Sequence, residues 1–219
     1  MSSISALRKY VEPEAPGCPA PTIDRALRKA ARDLCEKTYC WKEARSDVTL
    51  TSGISTYTTA VFAGAELVGI EYVEFNSTGI PGQGLELLQT TERELSMGLS
   101  TWRITTGDPT HFFTVTKTVA FRLFPIPNRT IANGLSYEVY LKPALESDDL
   151  PEFLTRQYAE VLQNGALAEI LKMSKTPWSD PGMAADYRQQ YRNGVYAVRD
   201  RVDRMQATQN LNITTTLVA

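Results

Sequence analysis

Apolar side chains recur with the period of an α-helix near the start of the chain. They step by three and four residues from about residue 22, at Ile23, Leu27, Ala30, Leu34, Thr38 and Trp41. The stretch before them, residues 10–21, carries four prolines, each of which fixes its own φ angle and disfavours helix in the residue before it. This pattern predicts an extended lead-in followed by one amphipathic helix.

The last third of the chain has the same helical period in two segments. Asp149, Pro151 and Glu152 make a helix start signal, and the apolar residues that follow are Phe153, Leu154, Tyr158, Val161, Leu162, Leu167, Ile170 and Leu171. Two prolines between residues 176 and 182 predict a break. A second start at Asp180–Pro181 predicts a helix that runs to about Ala207.

Between residues 46 and 143 the composition changes to Thr, Val, Tyr and Phe, with Gly or Pro every several residues. Alternation of apolar and polar residues predicts a half-buried strand around Tyr137, Val139 and Leu141. The run 67–75 is apolar at both odd and even positions, which predicts a strand buried on both faces, and residues 116–118 predict a hairpin turn. Thr91 and Glu94 have the spacing of a capping box and predict a short helix to about Met97.

These elements predict an α+β fold in two domains. Residues 1–45 and 145–219 are expected to form an α-helical bundle from the N- and C-terminal helices, with an extended C-terminal tail. Residues 46–144 are expected to form an inserted antiparallel β module, resembling a sandwich or barrel.

Composition and charge narrow the possible functions. The 219 residues have a formal net charge of −2, so no bulk positive charge is present to bind nucleic acid through its phosphates. No apolar run reaches the length of a membrane helix, and residues 1–10 lack the apolar core of a signal peptide. We therefore expect assembly in a host cytoplasm with no membrane partner, a reducing setting that suits the three cysteines.

Candidate catalytic and metal-binding residues are few. His111 is the only histidine, follows a predicted turn, and is expected to be structural or solvated because no nucleophile motif accompanies it. Cys35 and Cys40 are five apart on the predicted helix and should point in different directions, while Cys18 lies in the proline-rich lead-in. We therefore expect no metal and no cofactor.

Three further patterns have structural interpretations. Gly79, Gly82 and Gly84 lack the Lys-Ser/Thr of a phosphate loop and predict a turn. The acids Asp148, Asp149 and Glu152 are explained by helix capping, and a catalytic carboxylate pair is the alternative. Arginines of the last helix alternate with aspartates, which indicates a solvated or subunit-facing surface.

Two residues of the last third are predicted to serve packing. Gly165 lies within a predicted helix, where glycine costs about 1 kcal/mol relative to alanine unless a neighbour needs the space. We therefore expect a close helix crossing at Gly165. Trp178, between two prolines, is expected to plug the end of the bundle.

Several segments resemble those of one protein family. Residues 11–41, 150–195, 107–113 and 121–127 read VEPEAPGCPAPTIDRALRKAARDLCEKTYCW, LPEFLTRQYAEVLQNGALAEILKMSKTPWSDPGMAADYRQQYRNGV, GDPTHFF and FRLFPIP. In their order along the chain, these segments are similar to those of bacteriophage head-to-tail adaptors. These proteins are also called head-tail connectors and include tail tubular protein A-like chains. The resemblance covers nearly the whole chain.

The resemblance implies a structural virion protein at the head–tail interface and no enzyme. Its partners would be the portal protein, the tail or nozzle proteins and further copies of itself in a ring, usually of twelve. DNA would pass through the ring's channel without sequence-specific binding. The alternative is a small hydrolase or ligand-binding protein with a site in the β module.

The final segment, 210–219, has no charged side chain and favours an extended form. We expect this tail either to fold back on its own subunit or to pair by strand addition with the portal or a neighbouring adaptor. The candidate assembly residues are Leu211, Ile213, Thr215, Leu217 and Val218.

Overall fold

The computed structural model describes residues 2–80, 83–115 and 119–210, with side chains described up to residue 205. These residues divide into two compact units. The helical unit comprises residues 2–41, 63–66 and 142–210, and the sheet unit comprises residues 42–62 and 67–141. Each unit has its own apolar core.

The described residues form six α-helices, twelve strands and one 3-10 helix at Ile4–Leu7. The α-helices are α1 (Arg8–Val11), α2 (Ala20–Thr38), α3 (Glu92–Gly98), α4 (Glu152–Gln157), α5 (Ala159–Ile170) and α6 (Pro181–Asn210). The strands are β1 (Ser2–Ser3), β2 (Lys42–Leu50), β3 (Thr56–Thr58), β4 (Ala65–Phe75), β5 (Leu85–Glu86), β6 (Leu88–Gln89), β7 (Thr106–Gly107), β8 (His111–Thr114), β9 (Ala120–Phe124), β10 (Ile126–Pro127), β11 (Ile131–Pro143) and β12 (Asp149–Leu150).

Helix α2 is the long N-terminal helix of the helical unit. Its apolar residues are buried at the predicted helical spacing, including Ile23, Leu27, Ala30 and Leu34. The helix ends at Thr38, because Tyr39 takes a left-handed conformation with φ 54° and donates its N–H to the Cys35 carbonyl at 2.9 Å. Trp41 is buried, but it lies beyond the helix, so the predicted end was three residues too late.

Helices α2, α5 and α6 pack against one another at Gly165 of α5. A Cβ atom at Gly165 would lie 2.8 Å from the Ala30 Cβ and 2.8 Å from the Tyr191 ring. The predicted close helix crossing is therefore confirmed. Gly194 of α6 is a second such position, since a Cβ there would lie 2.8 Å from Cγ2 of Val161.

Two four-stranded sheets form the sheet unit, with strand orders β2–β11–β4–β5 and β3–β9–β8–β6. Strand β11 presents Leu135, Tyr137, Val139 and Leu141 to the core, as its alternating pattern predicted. The Phe121 ring packs edge-on against Tyr137 and stacks on Tyr57, which joins residues of both sheets in one aromatic cluster. A separate cluster places Trp102 against Phe113 under α3.

The expected fold, an α-helical bundle with an inserted antiparallel β module, is wrong. The described residues form a mixed fold with six α-helices and four sheets, and the terminal helices do not make a simple bundle. Strand β1 pairs with β12 within the helical unit, and two pairings, β7 with β10 and β6 with β8, are parallel. Strands of two residues carry no readable period, and alternation does not distinguish parallel from antiparallel pairing.

Other elements differ from the prediction in local detail. The predicted extended lead-in, residues 10–21, is not extended throughout, since α1 reaches Val11, turns follow it and α2 already begins at Ala20. Strand β4 is mostly half-buried rather than buried on both faces. The predicted single helix after residue 151 is divided at Tyr158, where φ is −119°.

Two predicted helix starts are confirmed by their hydrogen bonds. The Thr91 hydroxyl accepts from the Glu94 N–H at 3.2 Å, and Glu94 accepts from the Thr91 N–H at 2.8 Å, which completes the capping box of α3. At the start of α6, the Asp180 carboxylate accepts from the Met183 N–H at 3.0 Å. The predicted hairpin turn at 116–118 lies outside the described residues.

The division into autonomous domains, 1–45 with 145–219 and 46–144, stays a prediction. We expect limited proteolysis to cut first near residues 46 and 145, which are exposed close to the limits of the two units, and to leave the terminal helices associated. Fragments would be identified by intact mass after gel filtration under native conditions. Separation of α2 from α5 and α6 on the column would contradict the prediction.

Candidate functional site

The described contacts of His111, the sole histidine of the sequence, are with a threonine hydroxyl and an aromatic ring. His111 begins β8, half-buried, with Nδ1 2.8 Å from the Thr110 hydroxyl and its ring 6.0 Å from the Phe124 ring. Its surroundings are those of a structural histidine, as predicted. Within the described ranges, no group of three or more His, Cys, Asp or Glu side chains could hold a metal ion.

Cys35 and Cys40 lie together, contrary to the prediction that they point in different directions. Their sulfur atoms are 4.0 Å apart because the left-handed Tyr39 ends α2 and turns the chain back, so that Cys40 is not on the helix. The hydrogen bond that it shares with Cys40, together with its burial, raises the pKa of the Cys35 thiol. Cys18 lies apart from them in sequence and is half-buried.

Of the clustered acids near residue 150, Glu152 lies in the first turn of α4, as predicted, whereas Asp149 does not cap the helix. Asp149 belongs to β12, and the residue before α4 is Pro151, which supplies no side-chain cap. Asp148 binds Arg28 at 2.8 Å, and Glu152 binds Arg156 at 2.7 Å. The capping explanation therefore fails for Asp149, and the acids serve different local contacts.

Residues 144–149 form a tight turn on the helical unit, called here the acidic turn. The Ser147 N–H donates to the Ala144 carbonyl at 3.2 Å, and the Leu145 N–H donates to the Glu66 carboxylate at 3.1 Å. Arg28 of α2 donates to the Ser147 carbonyl at 2.8 Å. Leu145 is nevertheless 60% exposed, and Glu146 is exposed beside it.

A groove of about 420 Å³ lies between the end of α2 and the middle of α6, and it is called here the Tyr39 groove. Tyr39 is 41% exposed and Tyr196 is 70% exposed, and both line the groove with the exposed Arg192 and Arg199. Val195 lines it as well and is buried. Its surface therefore combines aromatic rings with guanidinium groups.

Tyr191 fixes the two helices that form this groove. Its hydroxyl donates to the Asp33 carboxylate at 2.9 Å and lies 3.0 Å from the Ala30 carbonyl oxygen. Burial, together with the negative charge of Asp33, raises the pKa of Tyr191, so the hydroxyl stays protonated and keeps donating. The groove is thus a fixed surface rather than a space between two loose helices.

The sheet unit contains a charged cluster that the sequence analysis missed. Lys42 of β2 binds the carboxylate of Glu71 on β4, and its ammonium nitrogen lies 3.8 Å from a Glu138 oxygen on β11. Burial and a hydrogen bond to Glu71 raise the pKa of Glu138 to about 7. The even-numbered positions of β11, on the face opposite Val139 and Leu141, are the sequence signal that could have located Glu138.

The outer surface of α6 has mixed charge, as its sequence indicated. Arg204 pairs with Asp200 at 2.7 Å, and Arg199 with Asp203 at 3.9 Å, both four residues apart. Among the described residues, no helix is long and apolar enough to span a membrane.

Comparison with known proteins identifies the family. A family model described as SU10 adaptor protein matches residues 3–212, which is nearly the whole chain. This chain belongs to the SU10 adaptor protein family. The SU10 adaptors are phage head-to-tail adaptors, so the resemblance stated from the sequence is confirmed. Curated proteins gave no significant match.

Membership of the SU10 adaptor family gives a structural role in a bacteriophage and a place in the virion. A structural role agrees with the scattered positions of His111, Cys18 and the acids near residue 150 described above. The candidate assembly residues Leu211, Ile213, Thr215, Leu217 and Val218 lie outside the described residues.

Proposed function

We propose that this SU10 adaptor assembles into a ring, of twelve copies, that joins the portal to the tail and extends the DNA channel. The match to the adaptor family over residues 3–212 is the observation that carries the proposal. The partners are the portal protein on one side and tail or nozzle proteins on the other. DNA passes through without sequence-specific binding, which suits a chain of net charge −2.

The form of the helical unit supports a ring of subunits. Helix α6 has 30 residues and is therefore about 45 Å long, and many of its side chains after Gly182 are exposed. Its exposed surface mixes arginines and aspartates, which gives a polar contact that water can also solvate before assembly. An adaptor needs this property, because its subunits are made singly and joined later.

We assign the first contact with the portal to the C-terminal tail. The tail, 210–219, has no charged side chain and has strand propensity along Leu211, Ile213, Thr215, Leu217 and Val218. Strand addition would give affinity through backbone hydrogen bonds, while alternate side chains would fill pockets of the partner. The tail would then hold on the portal subunits that associate only weakly by themselves.

The test is electron microscopy of the purified chain mixed with the portal of the same phage. We expect a second ring stacked on the portal ring for the full chain, and none for a chain that ends at Gln209. Circular dichroism would check that the shortened chain folds. Absence of any added ring with the full chain would refute the adaptor ring, whereas equal rings with both chains would refute only the assignment to the tail.

A further inference from the structure

We propose that the Tyr39 groove of one copy binds the acidic turn of the next copy. This inference rests on the proposed ring and names the subunit contact within it. Leu145 would enter between the Tyr39 and Tyr196 rings, and Glu146 would pair with Arg192. The argument depends on complementary chemistry, on rigidity and on where α2 places the two surfaces.

The charges of the two surfaces are complementary. Other cations and acids at the groove already have partners, since Lys37 binds Asp33 at 2.8 Å and Lys142 binds Glu36 at 3.3 Å. In the part of the chain that the structure describes, Arg192 forms no ion pair. Tyr and Arg are among the side chains that most often dominate interface energies. The acidic turn offers an exposed leucine for the tyrosine rings and a carboxylate for the arginine.

The acidic turn is held rigidly although its tip is exposed. Arg28 binds both the Ser147 carbonyl and the Asp148 carboxylate at 2.8 Å, and the Ser147 hydroxyl donates to the Asp149 carbonyl at 2.7 Å. Gly64 lies so close that a Cβ on it would be 2.9 Å from that hydroxyl oxygen. A turn fixed in this way loses little conformational entropy when it binds.

The acidic turn and the Tyr39 groove are two different surfaces of the helical unit. Arg28, which holds the acidic turn, and Lys37, which lines the groove, are nine residues apart. Nine residues are about two and a half helical turns, so the two side chains leave the helix in opposite directions. No residue of the acidic turn lines the groove of its own copy.

The use of two different surfaces determines the symmetry of the assembly. A contact that uses two different surfaces is head-to-tail, and it closes into a ring when the rotation between neighbours divides a full turn without a shift along the axis. A two-fold dimer would instead need one surface that matches itself. The contact proposed here is therefore the kind that an adaptor ring requires.

The first test is a disulfide between copies. In the full chain carrying both Leu145→Cys and Tyr196→Cys, mild oxidation should give a ladder of dimers, trimers and larger species on a non-reducing gel. The chains with only one of these substitutions, which retain the native Cys18, Cys35 and Cys40, are the controls. A ladder absent from the double variant, present equally in the controls, or ending at the dimer would overturn the proposal.

The second test exchanges the charges. Arg192→Glu and Glu146→Arg should each weaken self-association, measured by sedimentation velocity, by about ten-fold or more, and the double variant should recover most of the loss. Arg93→Glu, on an exposed position of α3, makes the same change of net charge and should have little effect. Failure of the double variant to recover, or equal weakening by Arg93→Glu, would overturn the pairing.

Two further outcomes are informative. If Arg192→Glu lowers affinity for duplex DNA in an anisotropy assay and leaves self-association unchanged, the groove binds phosphates and the proposal is wrong. If the Arg192→Glu and Glu146→Arg variants still form rings on the portal as well as the parent chain does, the subunit contact is refuted and the adaptor function is not. A ladder without rings on the portal would support the contact and refute the function.

Discussion

Gly165→Leu should lower the free energy of unfolding by about 2–3 kcal/mol, near the upper end of the range for an overfilled core. The space is filled from two sides, because a Cβ at this position would already lie 2.8 Å from the Ala30 Cβ and from the Tyr191 ring. A leucine therefore has to push α5 away from α2 and α6. Urea denaturation followed by circular dichroism measures the loss.

Gly98→Ala is the matched control for this effect. Gly98 ends α3, and a Cβ built there has no atom within 4 Å, so the substitution should change stability by less than about 1 kcal/mol. Gly165→Ala should lie between the two variants. An unfolding midpoint for Gly165→Leu equal to that of the parent chain would show that the helices separate there at no cost.

Glu138→Gln should stabilise the protein at pH 8 and have little effect at pH 5. Burial and the hydrogen bond to Glu71 raise the pKa of Glu138 to about 7, above the ordinary value of 4.5. Between pH 4.5 and pH 7 Glu138 is therefore protonated in the folded chain and ionised in the unfolded chain. Its contribution to the free energy of unfolding falls as pH rises through this range. Above pH 7 the folded state retains a partly buried, ionised carboxylate.

The glutamine side chain cannot ionise and keeps a donor for Glu71. The expected gain at pH 8 is about 1–2 kcal/mol, less than the full pKa shift would give because the group is only partly shielded from water. Thermal unfolding at pH 5 and pH 8 measures the difference. Glu160→Gln removes an exposed carboxylate on α5 and is the control for loss of one negative charge.

Glu71 changes stability over a lower pH range than Glu138 does. The hydrogen bond from Glu138 and the ion pair with Lys42 lower the pKa of Glu71 despite its burial, so the contribution of Glu71 to stability is lost only as pH falls below 4.5. The two carboxyl groups therefore shift stability in opposite directions. A gain from Glu138→Gln that was the same at pH 5 and pH 8 would contradict the assignment of the raised pKa to Glu138.

Long periodic elements were predictable from the sequence. Helix α2, strand β11 and the starts of α3 and α6 follow from apolar spacing and capping residues, each of which acts within a few positions of the chain. Gly165 was predictable because a glycine inside a helix needs a packing reason. The family was recognisable because its motifs extend over the whole chain.

Pairing over long distances was not predictable. Nothing local to Ser2 indicates a strand, since β1 exists only because Leu150 and Asp149 lie beside it. The same holds for the meeting of Lys42, Glu71 and Glu138, which come from three strands far apart in sequence. The approach of Cys40 to Cys35 depends on the left-handed conformation of Tyr39, which the sequence did not indicate because the residue is not a glycine.

Tyr39, the left-handed residue, costs stability at a position that also lines the groove. Tyrosine in this conformation costs about 1–2 kcal/mol, a cost that glycine, the usual residue at a helix end, would avoid. The subunit thus carries a small strain that places an aromatic ring on the surface, where it has 41% of its area exposed. Under the subunit contact proposed above, replacing Tyr39 by glycine would stabilise the isolated chain and would weaken the groove that receives the neighbouring copy.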